Sequence, residues 1–388
     1  MQRRIAMSFK RRDYQDRIIS QVVGYWQGDD IRAILIESPT GSGKTFMGLH
    51  SAQDFKDETD PDTDPIVVWV AMRQHLLHQV VVEKAKFGLN IDLRPLSMFD
   101  RQGREFLAKE IQNNPDRPVI LCLDEAQHDA ATTMTDVYQA IKPDFVLGLS
   151  ATPFRVDKAK LCFEKQIRDA GIHRLISDGW LSKFDTHTID EWTPEKVANT
   201  YLSDPAKWGK SVFYFLNQAQ AAECHQRLLA GGCRNHLVLG GQNNDDLIED
   251  FREDRVDCLV NCMILTEGFD CPELQTAWVR PSGRGPTMQM AGRAFRIHEV
   301  DGVKVRKNIV QSEDTRWPIA RTATPEDQYK LVDGAWLSIK PNKRIDAISI
   351  AAVRRTIENY QPLPDFITKA TGKGKPVDND GGWFGGQN

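Results

Sequence analysis

The apolar run Ala33–Ile36 ends directly in the segment ESPTGSGKT, Glu37–Thr45, and few folds accommodate that succession. Gly41 and Gly43 allow a tight turn in which the backbone N–H groups of the Pro39, Thr40, Gly41, Ser42, Gly43 stretch converge, proline lacking one. A helix expected to start near Lys44 adds the positive end of its dipole. Lys44 supplies a point charge and Thr45 a hydroxyl. These are the parts of a phosphate cradle: the lysine is placed for β- and γ-phosphates, the threonine for the Mg2+ that travels with them. The full spacing G-x-x-x-x-G-K-[ST] asks for glycine where this chain has Ser38.

The stretch VILCLDEAQHDA, Val119–Ala130, poses a complementary problem. An apolar strand stops on two adjacent carboxylates, Asp124 and Glu125, which repel each other unless positive charge lies near. A cradle upstream resolves this. The strand is expected beside the P-loop strand, with Asp124 in the Mg2+ shell, commonly through water, and Glu125 orienting or deprotonating an attacking water. The long separation between Lys44 and Asp124 leaves space for further strand–helix units.

Strand-like runs fall in two series. The first is Ala33–Ile36, Ile66–Val70, Val119–Leu123 and Phe145–Leu149; the second is Val212–Leu216, His236–Leu239, Cys258–Cys262 and Thr276–Val279. Helix-period stripes lie between them, at Ile18, Ile19, Val22, Val23 and Trp26, at Leu76, Leu77, Val80 and Val81, and at Leu247, Ile248 and Phe251. Alternation of this kind predicts α/β architecture with parallel sheets covered by helices. The expected organisation is a first α/β domain over 1–185, a linker over 186–210 carrying Pro194 and Pro205, and a second α/β domain over 211–340. A C-terminal helical extension over 341–370 and a disordered glycine-rich tail over 371–388 complete the reading.

Composition excludes some classes. The net charge of −4 gives no global field for nucleic acid, so any polyanion site must be local. No apolar run approaches the ~20 residues that span a bilayer. The N-terminus, MQRRIAMSFKRR, lacks the apolar core of a signal peptide, and the expected setting is cytoplasmic or nucleoid-associated. The seven cysteines follow no framework or metal pattern and read as reduced thiols.

Taken in order, the motifs resemble those of superfamily 2 helicases and translocases over most of residues 10–300. RRDYQ, with Tyr14 and Gln15, is similar to the adenine-recognising segment ahead of the P-loop. SPTGSGKT resembles motif I, WVAMRQHLLHQ motif Ia, DEAQH motif II, SATP motif III, SVFYFLNQAQAAE motif IV, LTEGFDCPEL motif V and QMAGRAFR motif VI. The resemblance implies two tandem RecA-like domains with ATP and Mg2+ in the cleft between them. It implies Arg293 and Arg296 as arginine fingers, with Gln127 and His128 sensing the γ-phosphate and touching motif VI. Ser150, Thr152 and Gln289 would couple the nucleotide to the strand-binding surface, and Gly268 and Asp270 would approach the ribose. LISDGWLSKF, Leu175–Phe184, and DEAQH in place of DEAD resemble the restriction-motor and DNA-repair branch (type III restriction, DEAD-like).

The function this implies is ATP-dependent movement on nucleic acid, DNA before RNA. An RNA helicase of the same superfamily is the alternative, as is an ATP-gated scaffold or motor subunit of a larger nuclease or repair complex. RPSGRGPTMQM, Arg280–Met290, is a candidate strand-contacting loop, and Trp383 with Phe384 a candidate docking peptide for a protein partner.

Overall fold

The computed structural model describes residues 11–28, 31–59, 64–128, 132–151, 163–266 and 269–339. The predicted extension over 341–370 and the tail over 371–388, with Trp383 and Phe384, lie outside the described residues, as do Thr152 and Gly268.

Six strands form the first sheet: β1 (Ala33–Glu37), β2 (Ile66–Ala71), β3 (Asp92–Ser97), β4 (Val119–Asp124), β5 (Phe145–Ser150) and β6 (Lys165–Ile167). Their spatial order is β3-β2-β4-β5-β1-β6, and every pairing is parallel. The runs IVVWVA, VILCLD and FVLGLS are apolar on both faces because helices cover both. These helices are α1 (Asp13–Gln27), α2 (Lys44–Glu58), α3 (Gln74–Phe87), α4 (Arg101–Gln112), α5 (Thr132–Ile141) and α6 (Ile172–Ser177). On α1, Ile18, Val22 and Trp26 turn inward, and the Trp26 indole meets Phe55 of α2 edge-on at 5.5 Å.

The sheet order corrects one expectation. The motif II strand β4 is not beside the P-loop strand β1; β5 lies between them. The register nevertheless brings their carboxyl ends level, with Glu37 opposite Ser150 and Asp124 opposite Leu149. Ser150 is thereby inserted between motifs I and II.

The second sheet has eight strands: β7 (Phe184–Ile189), β8 (Ser211–Phe215), β9 (Asn235–Val238), β10 (Cys258–Cys262), β11 (Thr276–Val279), β14 (Lys307–Ser312), β15 (Gln328–Val332) and β16 (Ala335–Ser338). A separate small hairpin is made by β12 (Glu299–Val300) and β13 (Val303–Lys304). The order is β16-β15-β7-β14-β11-β8-β10-β9, parallel except for the β15–β16 edge. Packed with it are α7 (Pro194–Ser203), α8 (Pro205–Trp208), α9 (Gln218–Ala230), α10 (Asp245–Arg252) and α11 (Arg284–Gly292).

The segment 186–210, expected as a linker, is folded into this second sheet. β7 sits between β14 and β15, and α7 buries Val197, Ala198 and Tyr201. Both prolines stand at the first position of a helix, α7 and α8, capped by Thr193 and Asp204. There a missing N–H costs nothing, so the prolines start helices and do not mark a flexible connection. The chain passes between the sheets over residues 178–183. Under the second sheet, Trp278 stacks on Phe213 with centroids 5.0 Å apart, and Lys307 is fully buried with Nζ donating to the carbonyls of Pro272 and Leu274 at 2.7 Å each.

Among the described residues, no helix is long and apolar enough to cross a membrane, and no group of three or more His, Cys, Asp or Glu is placed to hold a metal ion.

Candidate active site

The turn after β1 is closed by its own hydroxyls. Ser38 Oγ donates to Ser42 Oγ at 2.7 Å, and Ser42 Oγ donates to the Pro39 carbonyl at 2.7 Å. Ser38 N donates to the Ser150 carbonyl at 3.0 Å, tying the turn to β5. Serine at position 38 is therefore a working part of the loop: its hydroxyl does what glycine could not. Gly41 and Gly43 have φ of +87° and +83°, a region costly for any residue with a Cβ. A Cβ on Gly43 would stand 2.7 Å from Gln15 Nε2, and one on Gly41 would stand 3.0 Å from Leu181 Cδ2.

Tyr14 and Gln15 are buried and face this loop. Tyr14 Oη donates to the Ser42 carbonyl at 2.6 Å and Gln15 Nε2 to the same oxygen at 2.9 Å. Their polar atoms hold the cradle from behind.

Lys44 opens α2 at the floor of a cleft of about 190 Å³, which Thr40, Thr45, Asp124 and Glu125 also line. Burial pulls the Lys44 ammonium below its ordinary pKa, while Glu125 and Asp124 pull it back up. Burial pushes the Asp124 carboxyl up, Glu125 adds to the push and Lys44 opposes it. On the first sheet's side, two adjacent carboxylates face a single lysine, and a cation added beside Asp124 would relieve their repulsion. Glu125 takes the left-handed backbone conformation with φ of +54°. That turn separates its side chain from the direction of β4. Gln127 Nε2 donates to Glu125 Oε2 at 2.8 Å, and Ser150 Oγ donates to Gln127 Oε1 at 2.6 Å. His128 lies in the short 3-10 turn Ala126–His128.

The opposite wall comes from the second sheet. Arg293 is buried, and its guanidinium donates to the carbonyls of Thr266 and Phe269. Burial lowers its pKa, and Glu125 is among the groups that oppose the drop. Arg296 Nε lies 2.8 Å from Asp270 Oδ1, and both line the cleft with Lys44. A Cβ on Gly292 would meet Thr40 Cβ at 2.9 Å, so the end of α11 reaches the P-loop only because residue 292 is glycine. Gln289 is half-buried on α11.

The crossing segment joins the two walls. Ser182 N donates to the Phe295 carbonyl at 2.9 Å and Ser182 Oγ to that of Arg296 at 2.8 Å, while the neighbouring Leu181 packs by Gly41.

The motifs missed part of the cleft. Leu76, Gln79, Glu83 and Phe87 of α3 line it, with Phe46 of α2 and Phe269. The spacing 76, 79, 83, 87 is one helical face and was present in the sequence, overlapped by the apolar stripe at 76, 77, 80 and 81. The loop expected to contact a strand presents its two arginines differently. Arg280 is buried against its own Pro281 carbonyl, and the Arg284 guanidinium sits 5.5 Å from the Trp317 ring centroid.

The donor set fits a polyphosphate with a divalent cation. The glycine cradle has no room for a Cβ, the three cations Lys44, Arg293 and Arg296 border the cleft, and Asp124 and Thr45 share its floor.

Fold and site together give tandem RecA-like sheets, with a P-loop on one and the paired arginines on the other, the arrangement that the resemblance to superfamily 2 proteins implies. The family model of the type III restriction enzyme res subunit matches residues 8–94. The chain is 23% identical over 351 residues to a Schizosaccharomyces pombe protein described as mitochondrial ATP-dependent helicase irc3, covering 76% of this chain and 56% of that one. It thus spans about half the length of that relative. Among solved structures, the ATP-dependent type ISP restriction-modification enzyme LlaBIII bound to DNA superposes with a TM-score of 0.55 at 16% identity, over 80% of this chain and 28% of the other. Saccharomyces cerevisiae Dbp5 bound to RNA and ADP BeF3 superposes with a TM-score of 0.53 at 16% identity, over 78% of this chain and 83% of the other. At those identities the likeness is one of fold.

Proposed function

We propose that this chain hydrolyses ATP between its two sheets and uses the cycle to move along nucleic acid, DNA in the first instance. The observation that carries this reading is the meeting of Lys44, Asp124 and Glu125 from the first sheet with Arg293 and Arg296 from the second in one cleft.

In this reading the P-loop amides and Lys44 bind the β- and γ-phosphates. Mg2+, held by Thr45 and Asp124, would supply charge neutralisation at the phosphate oxygens. Glu125 accepts the proton of the attacking water, and Gln127 fixes the direction of its carboxylate. Arg296 leaves Asp270 and stabilises negative charge developing on the transferring phosphoryl group; such an arginine is worth about 10³–10⁵ in rate. Arg293 holds the carbonyls of Thr266 and Phe269, so it acts as a positioning cation. Ser150 and Gln127 connect Glu125 to the motif III strand end, a route by which strand binding reaches the water-activating carboxylate. His128, Thr152, Gly268 and Gln289 keep the roles that the superfamily resemblance implies.

DNA is favoured over RNA by the match to a restriction res subunit and by a fold neighbour described as bound to DNA. The Dbp5 neighbour, described as bound to RNA, supports the second reading, an RNA helicase. The setting is cytoplasmic or nucleoid-associated in this reading, and Trp383 with Phe384 offers a peptide for a protein partner. The test is ATP turnover of the full chain with single-stranded DNA, duplex DNA or RNA added. Stimulation by DNA at least tenfold over RNA is expected. Stimulation by RNA alone moves the assignment to the second reading. Negligible turnover with all three leaves an ATP-gated scaffold.

A further inference from the structure

Cys233 and Cys258 face each other at the end of the second sheet remote from the nucleotide cleft. Cys258 is the first residue of β10, whereas the cleft residues Phe269 and Asp270 follow that strand's other end. The strand alone separates the two by roughly 13 Å at ~3.3 Å per residue. The two sulfurs lie 3.5 Å apart. Their backbones are held by the β9–β10 ladder, in which Cys258 pairs with Asn235, two residues after Cys233.

The two thiols differ in access. Cys258 is fully buried. Cys233 is half-buried and lines a pocket of about 450 Å³ with Tyr201, Lys210 and Asp257. Burial pushes the Tyr201 phenol pKa up, and the Cys258 and Cys233 thiols add to the push. The hydrogen bond between the two sulfurs holds the Cys233 thiol below the ordinary thiol pKa; Tyr201 and Arg234 work the same way, and burial and Asp257 oppose them. Burial pushes Cys258 well above the ordinary value. One accessible sulfur 3.5 Å from one shielded sulfur is the arrangement of a reacting and a resolving cysteine.

We propose that Cys233 and Cys258 form a hydroperoxide-oxidisable pair, in which Cys233 reacts first from the pocket and Cys258 closes an intramolecular disulfide. The Cys233 thiolate attacks one oxygen of the hydroperoxide. The O–O bond breaks, the second oxygen leaves as alcohol or water after taking a proton, and Cys233 carries a sulfenic acid. The Cys258 sulfur then attacks Cys233 Sγ. The S–O bond breaks, the hydroxyl leaves as water with the Cys258 proton, and the S–S bond forms. The two electrons given up by the sulfur pair reduce the O–O bond. The new bond ties β10 to the turn ahead of the edge strand β9, and dithiothreitol reverses it.

The test exposes the full chain to hydrogen peroxide, alkylates remaining thiols, digests without reductant and identifies peptides by mass. Half-exposed Cys262, whose pKa burial raises, is the internal comparison. A peptide pair joining Cys233 to Cys258 within one chain is expected at peroxide concentrations about tenfold below those that modify Cys262, with the unfolding temperature raised by about 4 °C. In Cys258→Ser, dimedone is expected to label Cys233; in Cys233→Ser, Cys258 stays reduced. Full alkylation of both cysteines under conditions that oxidise Cys262 overturns the proposal, as does absence of dimedone label on Cys233 in Cys258→Ser. Should that variant not fold, the wild-type cross-link alone decides.

Discussion

Arg296 Nε lies 2.8 Å from Asp270 Oδ1 inside the P-loop cleft. Both groups come from the second sheet, so the arginine is held by its own side until something more negative than one carboxylate draws it across. Arg296→Ala is expected to bind ATP within a few-fold of wild type and to hydrolyse it about 10³-fold more slowly. Arg296→Lys should recover little, because a point charge does not replace the guanidinium fork. Equilibrium nucleotide binding and single-turnover hydrolysis separate the two effects. Equal losses in both would remove Arg296 from the chemical step.

Glu125 is a non-glycine residue at positive φ, and Gln127 fixes its carboxylate. Glu125→Gln preserves size and turn while removing the base. Turnover is expected to fall by about 10²–10⁴ with ATP binding retained, whereas Lys44→Ala should lose binding itself. Normal hydrolysis by Glu125→Gln would assign proton removal elsewhere.

Gly292 permits the contact between α11 and Thr40. Its backbone is helical, so alanine there is conformationally favourable by about 1 kcal/mol, yet the added methyl must displace the P-loop threonine. Gly292→Ala should therefore leave the unfolding temperature unchanged or slightly raised while kcat falls about tenfold. Thermal melts and steady-state kinetics on one preparation would show the split. A loss of stability matched by no loss of rate contradicts it.

Lys307 is a buried ammonium satisfied by two carbonyls. Lys307→Met strands both oxygens and should destabilise the fold by about 2 kcal/mol in urea melts. Burial lowers the Lys307 pKa from 10.5 to about 8. Between those values the unfolded chain holds the extra proton, so stability rises with pH from about 8 to 10.5. The methionine variant should lack that rise.

Much of the site was legible because its chemistry is local. ESPTGSGKT and DEAQH each sit at a strand end, where a few consecutive residues fix both backbone and side-chain roles. The sheet order was not legible. Nothing in the apolar run Phe145–Leu149 says that it inserts between β1 and β4; that is decided by packing over long separations. The segment 186–210 misled through its prolines, whose meaning depends on whether a helix follows. β3, with Pro95 in the run DLRPLS, and β14, opened by a buried lysine, lack the pattern that marks a strand from sequence. Tyr14 and Gln15 were found by resemblance, but their hold on the Ser42 carbonyl is visible only in three dimensions.

The passage between the sheets is anchored on both sides, by Leu181 at Gly41 and by Ser182 at the Phe295 and Arg296 carbonyls, and Lys304 Nζ clasps the Gly179 carbonyl at 2.9 Å. Surface connections ordinarily tolerate changes of length. This one has no slack to absorb them: a single inserted residue would slide one anchor out of phase with the other. Descendants of this sequence can vary the residues of 178–183 that anchor nothing, but neither Leu181 and Ser182 nor the number of residues between the anchors.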